Sequence, residues 1–572
     1  MLLIMSEKKY KKIAHYIVEH LKQTVFFLKL DGANVFKVRA YEKAINIIDE
    51  MANEFYPYLE QQNFTDIDGI GKGLSADILE LSEGNKSTVL QSLLKKYPEN
   101  LYQLKKIKGL GSKKILKLYT ELSVTSLADL EYACYEGLLV KLDGFGEKTQ
   151  TKILEQLNFL KSTNNLYTYA FLCEKAKELV MQLKTMPEVQ DVVITGELRR
   201  CMEVAASIEL LILTQKSKPK IDNIDNLILS KDAMDKDKIY ANYQNIPVVL
   251  YPCTKQNYGS VLFKSTGSQA FIQEICTKQL DVLEHQHETE ESVFKAMKVE
   301  YCLPELRESK KEYIKINNTP APGSLLESTD IQGVFHMHST YSDGKNTLEE
   351  MVKRSIELGY QYIGISEHSQ TAFYARGLNL DTIKQQAQEI KTLRKKYPQI
   401  HILHGIESDI LPDGQLDYPD SVLKQLDFVI ASVHAYMNQS EDLMTQRCLK
   451  ALENPYCTML GHPTGRVLLG RDSFKINLEA IFKKAGELGK FIEINANPKR
   501  LDLDWRYIPL AIKHKVKLVV NPDAHSIDGL SHTFYGVNVA RKGGLTKKNV
   551  INTLPLEKLS PLLNMGSLKY AR

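Results

Sequence analysis

The sequence predicts a multidomain chain of α+β and α/β class: a helical N-terminal region, a mixed middle, and a C-terminal β/α barrel one repeat short of eight. Three observations predict it. The chain has 572 residues, enough for about three or four domains. Beyond residue 330, short aliphatic runs alternate with helical periodicity seven times. In the first 160 residues, the pattern apolar-x-Gly-apolar-Gly recurs three times, each time ahead of an amphipathic helix.

The C-terminal runs are VFHMH, YIGISEH, ILHGIESDI, VIASVHA, TMLGHP, FIEINAN and VVNPDAH. Such runs read as buried parallel strands. LEEMVKRSIELGY, TIKQQAQEIKTLRKKY and LEAIFKKAGELGK, between them, carry apolar residues at helical spacing. β/α barrels keep their chemistry at the C-terminal ends of the strands. At or just past those ends stand His336, His338, Asp343, His368, Glu407, His434, His462, Asp523 and His525. A single such His is ordinarily a satisfied polar residue, but six His and three carboxylates at one structural position point to metal. Nine ligands exceed what one ion takes, so two or three ions sharing a carboxylate are expected. Glu407, mid-barrel in chain order, is the candidate bridge. Imidazole and carboxylate ligands without thiolate suit Mn²⁺ or Zn²⁺, and Fe²⁺ is compatible. Clustered metals of this kind activate water and clamp phosphate.

The N-terminal repeats are IDGIGKG, IKGLGSK and LDGFGEK. The pairs Gly69/Gly71, Gly109/Gly111 and Gly144/Gly146 let a tight hairpin join two helices while its amides face outward, a sequence-independent seat for phosphate. With Lys72, Lys113 and further lysines alongside, these read as helix-hairpin-helix DNA-binding elements. Helical turns with a solvated lysine face are the plainer alternative.

Composition adds exclusions. The net charge of +4 is small for a chain of this length. Eight cysteines without a CxxC pair read as reduced thiols. MLLIM is too short for a signal-peptide core, and no apolar run reaches the roughly 20 residues of a membrane span. A cytoplasmic protein off the membrane is expected.

HMHSTYSDG, GIESDILPDGQLDYPD, ASVH, GHPTGR and NPDAH resemble the PHP (polymerase and histidinol phosphatase) domain, in the version fused to bacterial family X DNA polymerases. The resemblance implies a distorted (β/α)7 barrel over 330–572, three metals, and 3′–5′ exonuclease chemistry. It also implies ligand groupings: His336, His338, Glu407 and Asp523; Glu407, His434 and His462; Asp343, His368 and His525. Two departures, Glu367 and Val334 at positions usually Asp, are expected to tune rather than abolish. Arg376 and Arg500 are candidates for phosphate contacts at the barrel mouth.

FKVRAYEKAINII (36–48) resembles the opening helices of the same family. That implies a small DNA-end-binding domain over 1–90, fingers over 91–165, a nucleotidyltransferase-like palm and thumb over 166–315, and a linker over 316–329. The small domain of the family can carry a lyase lysine, but the matching position here is Asp77, and a carboxylate forms no Schiff base. In the palm stretch TGELRRCMEVAASIELLIL, Gly196, Arg199 and Arg200 match the family pattern. The metal-binding Asp positions read Ser207, Glu209 and, on PVVLYPC, Val249, while Glu197 stands where a triphosphate would dock. The nucleotide motif reads Lys264 to Ser268, and Ile272 and Cys276 replace later contacts. Paired Mg²⁺ ions need several carboxylate oxygens, so a palm that keeps its fold without its metals is expected; Glu203 with Glu209 is the alternative carboxylate pair.

The expected function is metal-dependent 3′–5′ exonuclease or 3′-end processing in DNA repair, by a monomer acting on gapped, nicked or 3′-ended DNA. Alternatives are an active gap-filling polymerase/exonuclease, a non-catalytic DNA-end scaffold, and a small-molecule phosphatase.

Overall fold

The computed structural model describes residues 2–162, 166–215, 224–230, 237–276, 285–308 and 323–563, with Ile221 and Val282. Residues 316–322 of the expected linker, 316–329, lie outside the described residues. The chain divides into two compact units, Met1–Leu157 and Asn158–Arg572.

The first unit is helical. Helix Leu2–Leu30 packs against helices on both sides of residue 90, among them Lys72–Ser82 and Ser112–Leu122, within the one compact unit. All three glycine repeats form the same turn. Gly69, Gly109 and Gly144 take φ of +90°, +92° and +86°, a region closed to most L-residues. A helix then starts right after Gly71, Gly111 and Gly146, at Lys72, Ser112 and Glu147. Gln156, on the third of these helices, bonds to both the amide and the carbonyl of Lys108, locking the second and third hairpins together.

The second unit holds two sheets of size. The palm sheet is ordered β2-β4-β7-β6-β5: β2 (Val189–Ile194), β4 (Ile208–Thr214), β5 (Leu227–Leu229), β6 (Ile239–Tyr243) and β7 (Ile246–Cys253). A short antiparallel pair, β1 (Tyr167–Thr168) with β3 (Val204–Ala205), lies beside it.

The barrel has seven strands in chain order, all parallel: β8 (Gly333–Val334), β9 (Tyr362–Ile365), β10 (His401–Asp409), β11 (Phe428–Ser432), β12 (Met459–Leu460), β13 (Phe491–Asn495) and β14 (Lys517–Asn521). Side chains alternate across each strand. The interior starts with a layer of Phe335, Tyr362, Leu403, Phe428, Met459, Phe491 and Val519, closed from below by Ile551, Leu556 and Leu559. Two residues further along come Gly364 and Gly405; a methyl on either would lie 2.5 or 2.3 Å from the Phe428 ring. Two residues further again stand Ser366 and Glu407. The barrel is thus plugged with apolar rings below and lined with polar groups above. Ile402, Ile406, Val429, Ala431, Ile492, Ile494, Leu518 and Val520 point outward into the helix layer.

Palm and barrel meet over buried polar contacts. Trp505, the only tryptophan, donates from Nε1 to Glu203 at 3.1 Å, and Arg506 donates to the same carboxylate at 2.5 Å. Lys542, with no exposed side-chain surface, donates to the Arg200 carbonyl at 2.9 Å and to Glu308 at 3.1 Å. Burial pushes the Lys542 ammonium below its ordinary value, against the pull of Glu308.

Candidate metal centre

The structure brings all nine expected ligands to the upper end of the barrel. Glu407 ends the inward row Leu403, Gly405, Glu407 and sits at the middle. Its Oε1 lies 3.3 Å from His336 Nε2, 3.2 Å from His434 Nε2 and 3.0 Å from His462 Nε2. Its Oε2 lies 2.9 Å from His368 Nδ1 and 3.7 Å from His338 Nε2. Asp523 Oδ1 is 3.4 Å from both His336 Nε2 and His338 Nε2. Asp343 stands 3.5 Å from His368 Nε2 and 3.4 Å from His525 Nε2.

Three sets of donor atoms are close enough to share an ion: His338, Asp343, His368 and His525; His336, His338 and Glu407; His368, Glu407 and His434. They overlap the sequence groupings and link them more tightly, since His338 and His368 each belong to two sets. Among the described residues, every such set lies in the barrel.

The donors fit a metal. His336 Nε2, both ring nitrogens of His338, His462 Nδ1 and Glu407 Oε2 are buried without a hydrogen-bond partner. Leaving such groups unsatisfied costs about 1–3 kcal/mol each, and coordination satisfies them. Electrostatics agree. Burial opposes charge throughout, yet the His434 and His336 imidazoles outweigh it and hold Glu407 well below the usual carboxylate range. His525 and His368 do the same for Asp343. Burial, with His525 and His368 alongside, pushes His338 down to about 3, which keeps the ring neutral, with one nitrogen lone pair free to bind a metal.

A supporting layer escaped the sequence reading. Glu493, on the run FIEINAN that carries no expected ligand, reaches His336 Nδ1 at 2.7 Å and accepts from the His462 amide at 2.7 Å. Asn521 donates to it at 3.0 Å. Asp409 binds His434 Nδ1. Carboxylates in this position fix which imidazole nitrogen faces the metal. Inward alternation, Phe491-x-Glu493-x-Asn495, was the available signal. Glu367 is fully buried and accepts from Ser339, Ser342 and Gln386, while Val334 packs in the outer core.

Arg500 lies at the cluster, its Nε 3.7 Å from Asp523 Oδ2. Arg376 is more exposed, and its guanidinium donates to the carbonyl of Ser342, next to Asp343.

The palm differs. Glu209 and Val249 sit opposite each other on β4 and β7. The Glu209 carboxyl accepts from Tyr251 at 2.6 Å, and burial raises it above the carboxylate range. It covers Gly196 so closely that a methyl there would lie 2.3 Å from Oε1. Glu197 accepts from the Ala206 amide at 3.2 Å, beside Ser207. Glu203 turns to the barrel, so the alternative pairing with Glu209 does not form. Arg199 makes two bonds to Glu290, at 2.9 and 2.6 Å, and Arg200 binds Glu308 and the Thr266 carbonyl. Cys276 is buried in an apolar core that Ile272 packs against.

Comparison with known proteins follows the same division. A PHP domain model matches residues 335–497, and a helix-hairpin-helix domain model matches 14–87. The DNA polymerase/3′-5′ exonuclease PolX of Bacillus subtilis (strain 168) is 34% identical over 568 residues, spanning 96% of this chain and 98% of its own. The chain belongs to the bacterial PolX family of family X DNA polymerases with a C-terminal PHP domain. A probable phosphatase of Clostridium botulinum (strain Hall) is 30% identical over 243 residues, 41% of this chain and 95% of that protein. A solved histidinol phosphate phosphatase from Lactococcus lactis overlaps at 20% identity, over 36% of this chain and 93% of its own, with a TM-score of 0.29. Its PHP domain marks this PolX homologue as carrying a metal-dependent hydrolase fold. Among the described residues, no helix is long and apolar enough to cross a membrane.

Proposed function

We propose that the chain is a 3′–5′ exonuclease or 3′-end processing phosphodiesterase of DNA repair, working through the barrel, with templated synthesis lost from the palm. One observation carries the reading: the barrel gathers eight further candidate ligand side chains around Glu407, whereas the palm offers Ser207, Glu209 and Val249. Divalent ions, two or three in number and of Mn²⁺ or Zn²⁺ type, with Fe²⁺ compatible, supply Lewis acidity and lower the pKa of a coordinated water when bound. His336, His338, Glu407 and Asp523 would hold one, Glu407, His434 and His462 a second, and Asp343, His368 and His525 a third. Glu493 and Asp409 hold the His336 and His434 rings in place through Nδ1. Arg500 and Arg376 would take phosphate oxygens as charge-assisted donors.

The hairpins would deliver DNA. Gly71 and Gly111 begin their helices without a side-chain cap, and space beyond their Cα atoms is open. Lys72 and Lys113 are exposed alongside. We read the protein as a cytoplasmic monomer acting on gapped, nicked or 3′-ended DNA.

The test is a nuclease assay on labelled 3′-recessed, gapped and single-stranded DNA with metals varied singly. Glu407→Ala or His336→Ala should abolish hydrolysis and lower bound metal. Full activity and unchanged metal in either variant would refute the assignment. The name of the Bacillus subtilis relative includes polymerase activity, so primer extension by the Glu407→Ala protein is the companion assay: templated extension would restore that reading here.

A further inference from the structure

We propose that Phe373 and Tyr436 form an aromatic rim at the mouth of the metal cluster that stacks on the terminal base or bases of a single-stranded 3′ end. The inference rests on the exonuclease reading and extends it to how the substrate is held.

Phe373 is 84% exposed and Tyr436 68% exposed. Both lie on loops leaving the ligand-bearing end of the barrel. Phe373 follows His368 beyond β9, and Tyr436 follows His434 beyond β11. Between those strands runs β10 with Glu407. Two strand spacings put the loop roots roughly 10 Å apart, within reach of one or two successive bases.

The loop carrying Phe373 is built rather than slack. Leu378 N donates to the His368 carbonyl at 2.8 Å, and Gly377 N to the Ala372 carbonyl at 3.0 Å. Ala372 and Ala375 are fully buried. A loop this well packed nonetheless turns a phenyl ring to water, where burying it would have contributed to the core. The two loops are also tied together. Thr371 donates to Asp409 at 2.9 Å, and the other oxygen of Asp409 binds His434 Nδ1, two residues from Tyr436. One carboxylate therefore sets both rims relative to a metal ligand. Tyr436 and Arg376 both have φ of +57°, a conformation bulky residues adopt rarely and which collects at ligand sites.

The occupant follows from the chemistry beneath. A phosphodiester placed at the cluster carries its bases outward, towards the rim. Aromatic faces stack any base, giving grip without sequence preference. A small phosphate monoester lacking rings would leave both residues idle.

The experiment uses the full chain and two single-stranded oligonucleotides, one ending in a normal 3′ nucleotide and one in a base-free tetrahydrofuran residue. Wild type should show a KM for the base-bearing end at least about tenfold lower, the scale of one base–aromatic stack. Phe373→Ala and Tyr436→Ala should each shrink that ratio, and the double variant should bring it to one, with kcat for the normal end changing less than KM. Tyr436→Phe and Phe373→Trp should retain it, as should Leu488→Ala on a distant exposed position. Metal content by elemental analysis should equal wild type in every variant. Separately, a 3′-terminal 2-aminopurine should lose fluorescence on binding to Glu407→Ala protein, and regain it when both aromatics are removed. Hydrolysis with an unchanged ratio and unchanged quenching in the double variant overturns the rim and leaves the exonuclease standing. Quenching that needs both rings, in a wild type that hydrolyses neither DNA, overturns the exonuclease and leaves the rim.

Discussion

Glu407 and Glu493 show how one carboxylate differs from another by what it faces. Glu407 faces imidazoles on all sides and has an oxygen without a hydrogen-bond partner, the signature of a ligand. Glu493 is saturated by His336, His462, Asn495 and Asn521, the signature of a support. Glu493→Gln keeps the shape but removes the charge that holds the His336 ring, so metal affinity should fall by about ten- to a hundredfold. Titration with a chromogenic chelator measures it, and unaltered affinity would show that His336 needs no such anchor. Asp77 is a third case. It is buried and bonded to the Tyr41 hydroxyl, and burial raises its carboxyl above the ordinary range, with Tyr41 pulling the other way. A folded carboxyl with a raised pKa binds its proton more tightly than the unfolded one. Its contribution to stability is therefore full below the unfolded value and is lost as pH rises through the folded value. Asp77→Asn should flatten that acid-range slope of the N-terminal melting transition. A slope identical to wild type would mean Asp77 titrates alike in both states.

At the scale of elements, the hairpins separate two roles that the sequence pattern merges. Gly109 has φ of +92° whereas Gly111 has ordinary φ and open space around it. A side chain at 109 strains the turn itself; a side chain at 111 leaves the turn intact and crowds whatever approaches its amides. Gly111→Val should weaken DNA binding several-fold with the helical circular dichroism and hydrolysis of a minimal aryl phosphodiester retained. Gly109→Val should also lower the melting temperature. Equal losses on DNA and on the minimal diester in Gly111→Val would place the hairpin's role elsewhere. In the barrel, the strand alternation was readable residue by residue, and it accounts for Phe428 below, Gly405 between and Glu407 above.

For the whole molecule, the region of β1–β7 braces the barrel through buried polar contacts. Glu203, Arg200 and Glu308 engage Trp505, Arg506 and Lys542, and Arg199 and Arg200 are held by Glu290 and Glu308. Restoring Asp at 207, 209 and 249 in Glu407→Ala protein should therefore give no templated extension on gapped DNA, since Glu197 opposes the triphosphate and both arginines are engaged. Extension by that variant would show the pocket opens readily. Chelation, by removing ions that bind only the folded barrel, should lower the melting temperature of the second unit and spare the first.

What the sequence determined by itself was local and periodic. Strand alternation, the glycine turns and the clustering of the nine candidate ligands could be read because each depends on near neighbours and on the rule that barrel chemistry sits at strand ends. The side chains at Ser207, Glu209 and Val249 were read through the resemblance to the family's palm motifs. Only the tertiary structure decided the rest. Glu493 and Asp409 became supports, Glu203 became an interface anchor, and Phe373 and Tyr436 were left in water. Each outcome depends on which distant groups share a buried volume. A carboxylate's role follows from the charges and donors around it, and chain position alone does not record them.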